Sequence, residues 1–102
     1  KFNQQNNIKI GSYFINSNAR VISSNDDKLS LTEKETKIII FLSKSKKPIS
    51  ITELQKQVWG HKSKLETHTV ETHIYRLRKK IQRKFEDIKF ISSVEGGYKI
   101  NA

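Results

Sequence analysis

From Thr67 to about Phe85, apolar residues return in phase with the α-helical repeat and with no other. Advancing about 100° per residue, Val70, Ile74, Leu77 and Ile81 fall within a stripe roughly 60° wide. Thr69, Thr72, Arg76, Lys79 and Arg83 gather on a second stripe about 140° away. Helices in water depend on tertiary burial of one face, so the first stripe must meet a core and the second must stay accessible. Between Arg76 and Lys84 lie six basic residues and no acid, the densest charge on the chain.

The remainder reads as the layers that cover this helix. Ile8–Ile10, Tyr13–Ile15, Arg20–Ser23 and Leu29–Leu31 are short β-branched or aromatic runs. Turn residues at Gly11-Ser12, Asn16–Asn18 and Asn25–Asp27 break them, which predicts an antiparallel meander. The period then becomes helical. Thr32 with Glu35 forms a capping box, Ile38, Ile39, Phe41 and Leu42 supply a buried stripe, and Pro48 imposes a stop. Lys44, Lys46 and Lys47 suit the C-terminal end of that helix. A second box, Ser50 with Glu53, opens a short helix through Leu54 and Val58 to Trp59-Gly60. Residues His61–Glu66 have no period and read as a loop. Beyond the long helix, Ile88–Ser93 and Tyr98–Ile100 are two strands around Val94-Glu95-Gly96-Gly97, where Gly-Gly signals a hairpin turn.

With 102 residues and 34% hydrophobic content, the chain can build one compact core but not two. Residues 1–7 read as a polar linker and 8–102 as the domain. The chain lacks an initiator Met, which suggests a longer protein with an upstream portion. The net charge of +10 points to a polyanionic partner, and on charge alone nucleic acid and an anionic membrane are both open. The absence of Cys removes disulfides and thiolate metal sites and fits a reducing cytoplasm. The longest apolar run, Ile38–Leu42, is far short of the roughly 20 residues a membrane helix needs.

The basic face alone could be solvated surface. However, its cations share that face with Thr69 and Thr72, whose short side chains allow close approach to a groove. An RNA-binding module would want exposed aromatic platforms beside the charge. A membrane-surface helix would need large apolar residues facing lipid, yet the apolar stripe here is needed for the core. A nuclease would need acids clustered for metal ions, and no such cluster appears. His61, His68 and His73 have no Cys beside them and no i, i+4 pair, so no metal or other cofactor is expected. Asp26-Asp27 and Glu86-Asp87 read as turn chemistry, not catalysis, and no enzyme activity is expected.

Four segments, taken in order, carry a resemblance. They are Leu31-Thr32-Glu33-Lys34-Glu35, Leu54 through Val58-Trp59-Gly60, Thr69-Val70-Glu71-Thr72-His73-Ile74-Tyr75-Arg76-Leu77-Arg78-Lys79-Lys80-Ile81, and Gly96-Gly97-Tyr98-Lys99-Ile100. The third is highly specific, combining T-V-x-x-H-I with R-L-R-K-K in register. The resemblance runs from about Ile8 to Ile100, nearly the whole chain. The sequence resembles the OmpR/PhoB-type winged-helix effector domains of two-component response regulators.

The resemblance implies an α+β fold: a four-stranded N-terminal antiparallel sheet, three helices and a C-terminal hairpin wing. It implies sequence-specific binding of double-stranded DNA, with the third helix in the major groove and the wing near the minor groove. The position matching Arg76 touches bases in the family, and that matching Thr72 packs against a base edge. Positions matching Trp59, His68, His73, Arg78 and Tyr98 look like phosphate contacts. Thr69, Tyr75, Lys79, Lys80, Arg83 and Gly97 complete the expected DNA-facing set. Family members usually bind direct repeats as tandem dimers, being monomers when free. The loop matching 60–66 can face RNA polymerase, and a receiver domain phosphorylated through a sensor kinase normally precedes the linker. The implied setting is cytoplasmic transcription control in a phosphorelay, without a membrane.

Two departures stand out. Where the family wing usually reads V-R-G-x-G-Y, this chain has Val94-Glu95-Gly96-Gly97-Tyr98, one residue shorter and with Glu at the position of a minor-groove Arg. In addition, His68 and Tyr75 each replace a common Arg, removing two permanent charges from the long helix.

Overall fold

A computed structural model describes residues 7–62 and 64–101. Residues 1–6 of the polar N-terminal segment lie outside this range, and Asn7 already opens the first strand. The first layer is a four-stranded antiparallel meander of β1 (Asn7–Ile10), β2 (Tyr13–Asn16), β3 (Val21–Ser24) and β4 (Asp27–Ser30), paired in sequence order. Its alternation places Ile15 and Ile22 opposite each other and fully buried on the inner face, with Phe14 half-exposed on the other. The strand bounds depart from the sequence reading around β3 and β4. Arg20 adopts a left-handed backbone (φ 56°), so β3 begins at Val21. Asn25, at φ 56°, makes the tight turn that lets Ser24 pair with Asp27. β4 thus starts two residues earlier than the apolar run indicated, and Leu31 lies outside it, buried, donating its N–H to the Arg20 carbonyl at 2.7 Å.

Helices α1 (Glu33–Ser43), α2 (Ile51–Trp59) and α3 (Thr67–Phe85) form the second layer. The Thr32 capping box is complete: Thr32 Oγ1 accepts from the Glu35 N–H at 3.1 Å, and Glu35 Oε1 accepts from the Thr32 N–H at 2.9 Å. The Ser50 box is half formed. Ser50 Oγ accepts from the Glu53 N–H, but the Glu53 carboxylate accepts from Gln57 Nε2 one turn on. α1 ends at Ser43, well before Pro48, because Ser43 Oγ donates back to the Ile40 carbonyl and Ser45 organises a local turn with Lys47. Lys44, Lys46 and Lys47 therefore follow the last helical turn and do not occupy it.

Val70, Ile74, Leu77 and Ile81 of α3 are all essentially inaccessible, in a core shared with Ile15, Ile22, Ile38, Ile39, Leu42 and Leu54. After α3, Glu86 caps the helix in the left-handed region. Asp87 then accepts from the Lys89 N–H, an Asx turn that diverts the backbone. That turn explains why β5 (Ile91–Val94) starts three residues later than the apolar run predicted and why Ile88 is 64% exposed. β5 pairs with β6 (Gly97–Ile100) in a hairpin whose loop is Glu95-Gly96.

The two wing glycines have different roles. Gly96 (φ +93°) makes the turn, with open surroundings apart from Pro48 at ordinary contact distance. Gly97 (φ +139°) lies flat against the segment entering α2: a Cβ there would sit 1.9 Å from the Ile49 carbonyl oxygen. This close approach accompanies a backbone bridge, Ile49 N–H to the Tyr98 carbonyl at 2.8 Å and Tyr98 N–H to the Ile49 carbonyl at 2.9 Å. Gly97→Ala should therefore destabilise the domain by roughly 3 kcal/mol or more, while Gly96→Ala meets only backbone strain of about 1–2 kcal/mol. At about 4–8 °C per kcal/mol for a domain of this size, thermal denaturation should separate the two melting points clearly. Equal shifts would contradict the close-approach role of Gly97.

Candidate nucleic-acid interface

α3 is long because nothing in Thr67–Phe85 interrupts it, and it is amphipathic because its apolar residues keep the helical period. The burial that fixes one side leaves the other in solvent. Thr72, Tyr75, Arg76 and Arg83 are exposed there, with Thr69 and Lys79 half-exposed. Thr72 Oγ1 donates to the His68 carbonyl at 3.0 Å, so its hydroxyl is engaged by the helix and its methyl is what it offers a partner. Tyr75 is 60% exposed, with the Lys79 ammonium 5.5 Å from its ring centroid. Among the described residues, Arg76, Arg78, Lys79, Arg83 and Lys84 form no ion pair. The face is accordingly a concentrated, uncompensated cationic surface.

Two aromatic residues flank it. On one side, the half-buried Trp59 at the end of α2 meets the His73 ring edge-on at 5.1 Å between centroids. The Lys34 ammonium, from the first turn of α1, stands 5.9 Å from the indole. On the other side the half-buried Tyr98 of β6 lies within electrostatic reach of Glu71 and Arg78. Burial chiefly, then the Glu71 carboxylate, holds the Tyr98 phenol above its ordinary pKa, with Arg78 opposing. Tyr98 is thus a neutral hydrogen-bonding hydroxyl at physiological pH.

The structure brings together Thr69, Thr72, Tyr75, Arg76, Lys79 and Arg83 on the outer face. It places Trp59 with His73 on one flank, and Arg78, Gly97 and Tyr98 on the other. His68 sits at the exposed N-terminal turn, its Nδ1 3.1 Å from a Glu66 oxygen. Lys80 does not join this surface. Its ammonium turns inward, 2.7 Å from Glu35 Oε1 and 3.0 Å from the Ser30 carbonyl oxygen. Lys34 was not legible as part of the site, because no sequence spacing links it to Trp59. Among the described residues, no three His, Cys, Asp or Glu side chains converge as a metal cage, and the histidines stand apart. No helix among them is long and apolar enough to cross a membrane.

A helix offering Arg, Thr and Lys from one face, with aromatic and cationic groups on both sides, suits a major groove bordered by phosphates. Comparison with known proteins agrees. Residues 25–100 match the family model described as "Transcriptional regulatory protein, C terminal". The DNA-binding response regulator MtrA of Mycolicibacterium smegmatis is 29% identical over 94 residues, covering 90% of this chain and 41% of MtrA. The chain thus spans about two fifths of the length of that relative. Among solved structures, the DNA-binding domain of Escherichia coli CadC superposes with a TM-score of 0.80 at 28% identity, covering 92% of this chain and 90% of that one. The response regulator AdeR DNA-binding domain, solved with an intercistronic region, gives 0.79 at 25% identity, covering 92% and 98%. By family match, fold and exposed helix face together, the chain belongs to the transcriptional regulatory protein C-terminal family, the winged-helix DNA-binding domains of the OmpR/PhoB type.

Proposed function

We propose that this domain regulates transcription by reading duplex DNA with α3 in the major groove. The observation that carries this reading is the unpaired cationic outer face of α3, presented by a helix whose inner face is locked in the core. Arg76 is exposed at the middle of that face and has the reach for a bidentate contact to guanine. The Thr72 methyl suits a thymine methyl, and Thr69 is small enough to admit the groove wall. Arg78, Lys79 and Arg83 neutralise phosphates, joined by Trp59, His68 and His73 on one strand and Gly97 and Tyr98 on the other. Tyr75 holds Lys79 in place by the ring contact described above. Lys80 supports the helix from behind.

The domain would act as the output half of a response regulator, with the residues ahead of β1 as linker from a receiver domain that a sensor kinase controls. It would bind direct repeats as a tandem pair, remain monomeric when free, and present the loop 60–66 to RNA polymerase. Its kinship with MtrA, a response regulator by name, supports this setting. The same kinship supports a cytoplasmic setting without a membrane.

Fluorescence anisotropy across a salt series tests the interface. With about five or six phosphates neutralised, log K should fall with log salt at a slope near −5, and a slope shallower than about −2 would reject the basic face as a DNA contact. Arg76→Ala should cost about 1–3 kcal/mol on the preferred site and flatten sequence preference, whereas Lys79→Ala should weaken all duplexes alike. Equal losses on specific and random DNA for Arg76→Ala would remove it as a base reader. Lys80→Met should behave differently again. Breaking its bonds to Glu35 and Ser30 should lower the melting temperature while direct DNA affinity stays within about twofold. A Lys80→Met loss of affinity at unchanged melting temperature would put Lys80 at the phosphates after all.

A further inference from the structure

The outermost residue of the wing is an acid, in a chain whose net charge is +10. Glu95 is exposed in the two-residue loop between β5 and β6 and forms no ion pair among the described residues. Its neighbours Val94, Gly96 and Gly97 line a groove of about 420 Å³ between the hairpin and α3. Across that groove stands Glu71, a second exposed carboxylate, with Tyr98 on the hairpin side. The wing tip therefore adjoins the part of α3 that carries Thr72, on the surface a duplex would approach.

The hairpin is tied down beside its tip. Two backbone hydrogen bonds join Tyr98 to Ile49, and Gly97 lies against the Ile49 carbonyl with no room for a side-chain carbon. With the strand held at Gly97 and Tyr98, the Glu95 carboxylate stays at the tip of the hairpin. The neighbouring basic residues Lys46 and Lys47, just before Pro48, form no ion pair with it. Phosphates brought beside this loop would meet an exposed like charge, felt most at low salt.

We propose that Glu95 makes the wing an electrostatic fence: the carboxylate holds the hairpin tip off the DNA backbone, so that sequence discrimination falls on α3. The wing still positions Tyr98 and Gly97 beside the helix, but its tip adds repulsion where a neutral or cationic residue would add affinity. This inference rests on the DNA-binding reading above and specifies which of its surfaces does not contribute attraction.

The test uses the full chain with Glu95→Gln and Glu95→Arg, titrated against specific and random duplexes from about 50 to about 300 mM salt. Glu95→Gln removes the charge without adding a donor cation. It should raise duplex affinity about threefold at the lowest salt, with the gain vanishing as screening increases. Glu95→Arg should gain more, steepen the salt slope by about one to two units, and favour A·T-rich flanks whose narrow minor groove attracts Arg. Melting temperatures measured on the same samples separate charge from turn stability. If Glu95→Gln fails to gain affinity at low salt, at any melting temperature, the fence is overturned. A loss of affinity on specific DNA alone would instead make Glu95 an attractive contact. Failure of the unsubstituted chain to bind duplex with a steep slope is a separate result, since it rejects the DNA-binding reading and the fence together.

Discussion

Val70, Ile74, Leu77 and Ile81 are withdrawn from water along one side of α3, while the stretch from Arg76 to Lys84 crowds six cations onto the remainder. Each buried aliphatic side chain contributes roughly 1.5–3 kcal/mol, against a repulsion among exposed charges that water and salt largely screen. The apolar stripe therefore wins, and it dictates the rest of the arrangement. Ile15 and Ile22 of the sheet, Ile38, Ile39 and Leu42 of α1, and Leu54 of α2 all close on that stripe. Because it is narrow, most of the helix outside it stays accessible, Lys80 being drawn inward by Glu35. Exposure of Arg76 and Thr72 is a corollary of how the core is filled.

A single carboxylate then fixes the helix in the remaining directions. Glu35 Oε1 accepts from the Thr32 N–H at the start of α1 and from the Lys80 ammonium, which also donates to the Ser30 carbonyl at the end of β4. One buried acid thus joins the sheet, α1 and α3. At the far end of α3, Tyr13 packs edge-on to Phe85 at 5.1 Å and its hydroxyl donates to Asp87 at 2.7 Å. Burial and that carboxylate push the Tyr13 phenol well above its ordinary pKa, so the donor is retained at any physiological pH. Among the described residues no buried side-chain polar atom lacks a partner.

Much of this was legible in the sequence where the signal is local and periodic. The α3 stripe, the Thr32 capping box and the two-strand wing follow from spacing, and the run of cations from Arg76 marked the helix whose outer face is exposed and basic. Bounds set by single backbone conformations were harder. The left-handed Arg20 and Asn25 shift β3 and β4, and the Asx turn at Asp87 delays β5, and none of these alters hydrophobic period. The Gly-Gly pair shows the same limit, since turn chemistry accounts for Gly96 whereas Gly97 answers to Ile49, almost fifty residues away. Side-chain partners from distant segments were out of reach for the same reason. Lys80 looks like its neighbours in a run of cations, and only the fold reveals that Glu35 captures it. Lys34 beside Trp59 is the converse, a contact that no spacing announces.

Anchored at Trp59–His73, Lys80–Glu35 and Tyr13–Phe85–Asp87, α3 is held near its start, its middle and its end. Contacts at three points along its length oppose rocking of the helix against the core. On the proposed reading, more of the adjustment at the interface then falls to the duplex. Steps that deform easily, such as TA and CA/TG, lower the cost of that accommodation, so stiffness becomes part of the text being read. Even bases that no side chain touches can therefore influence binding, through the mechanics of the helix that carries them.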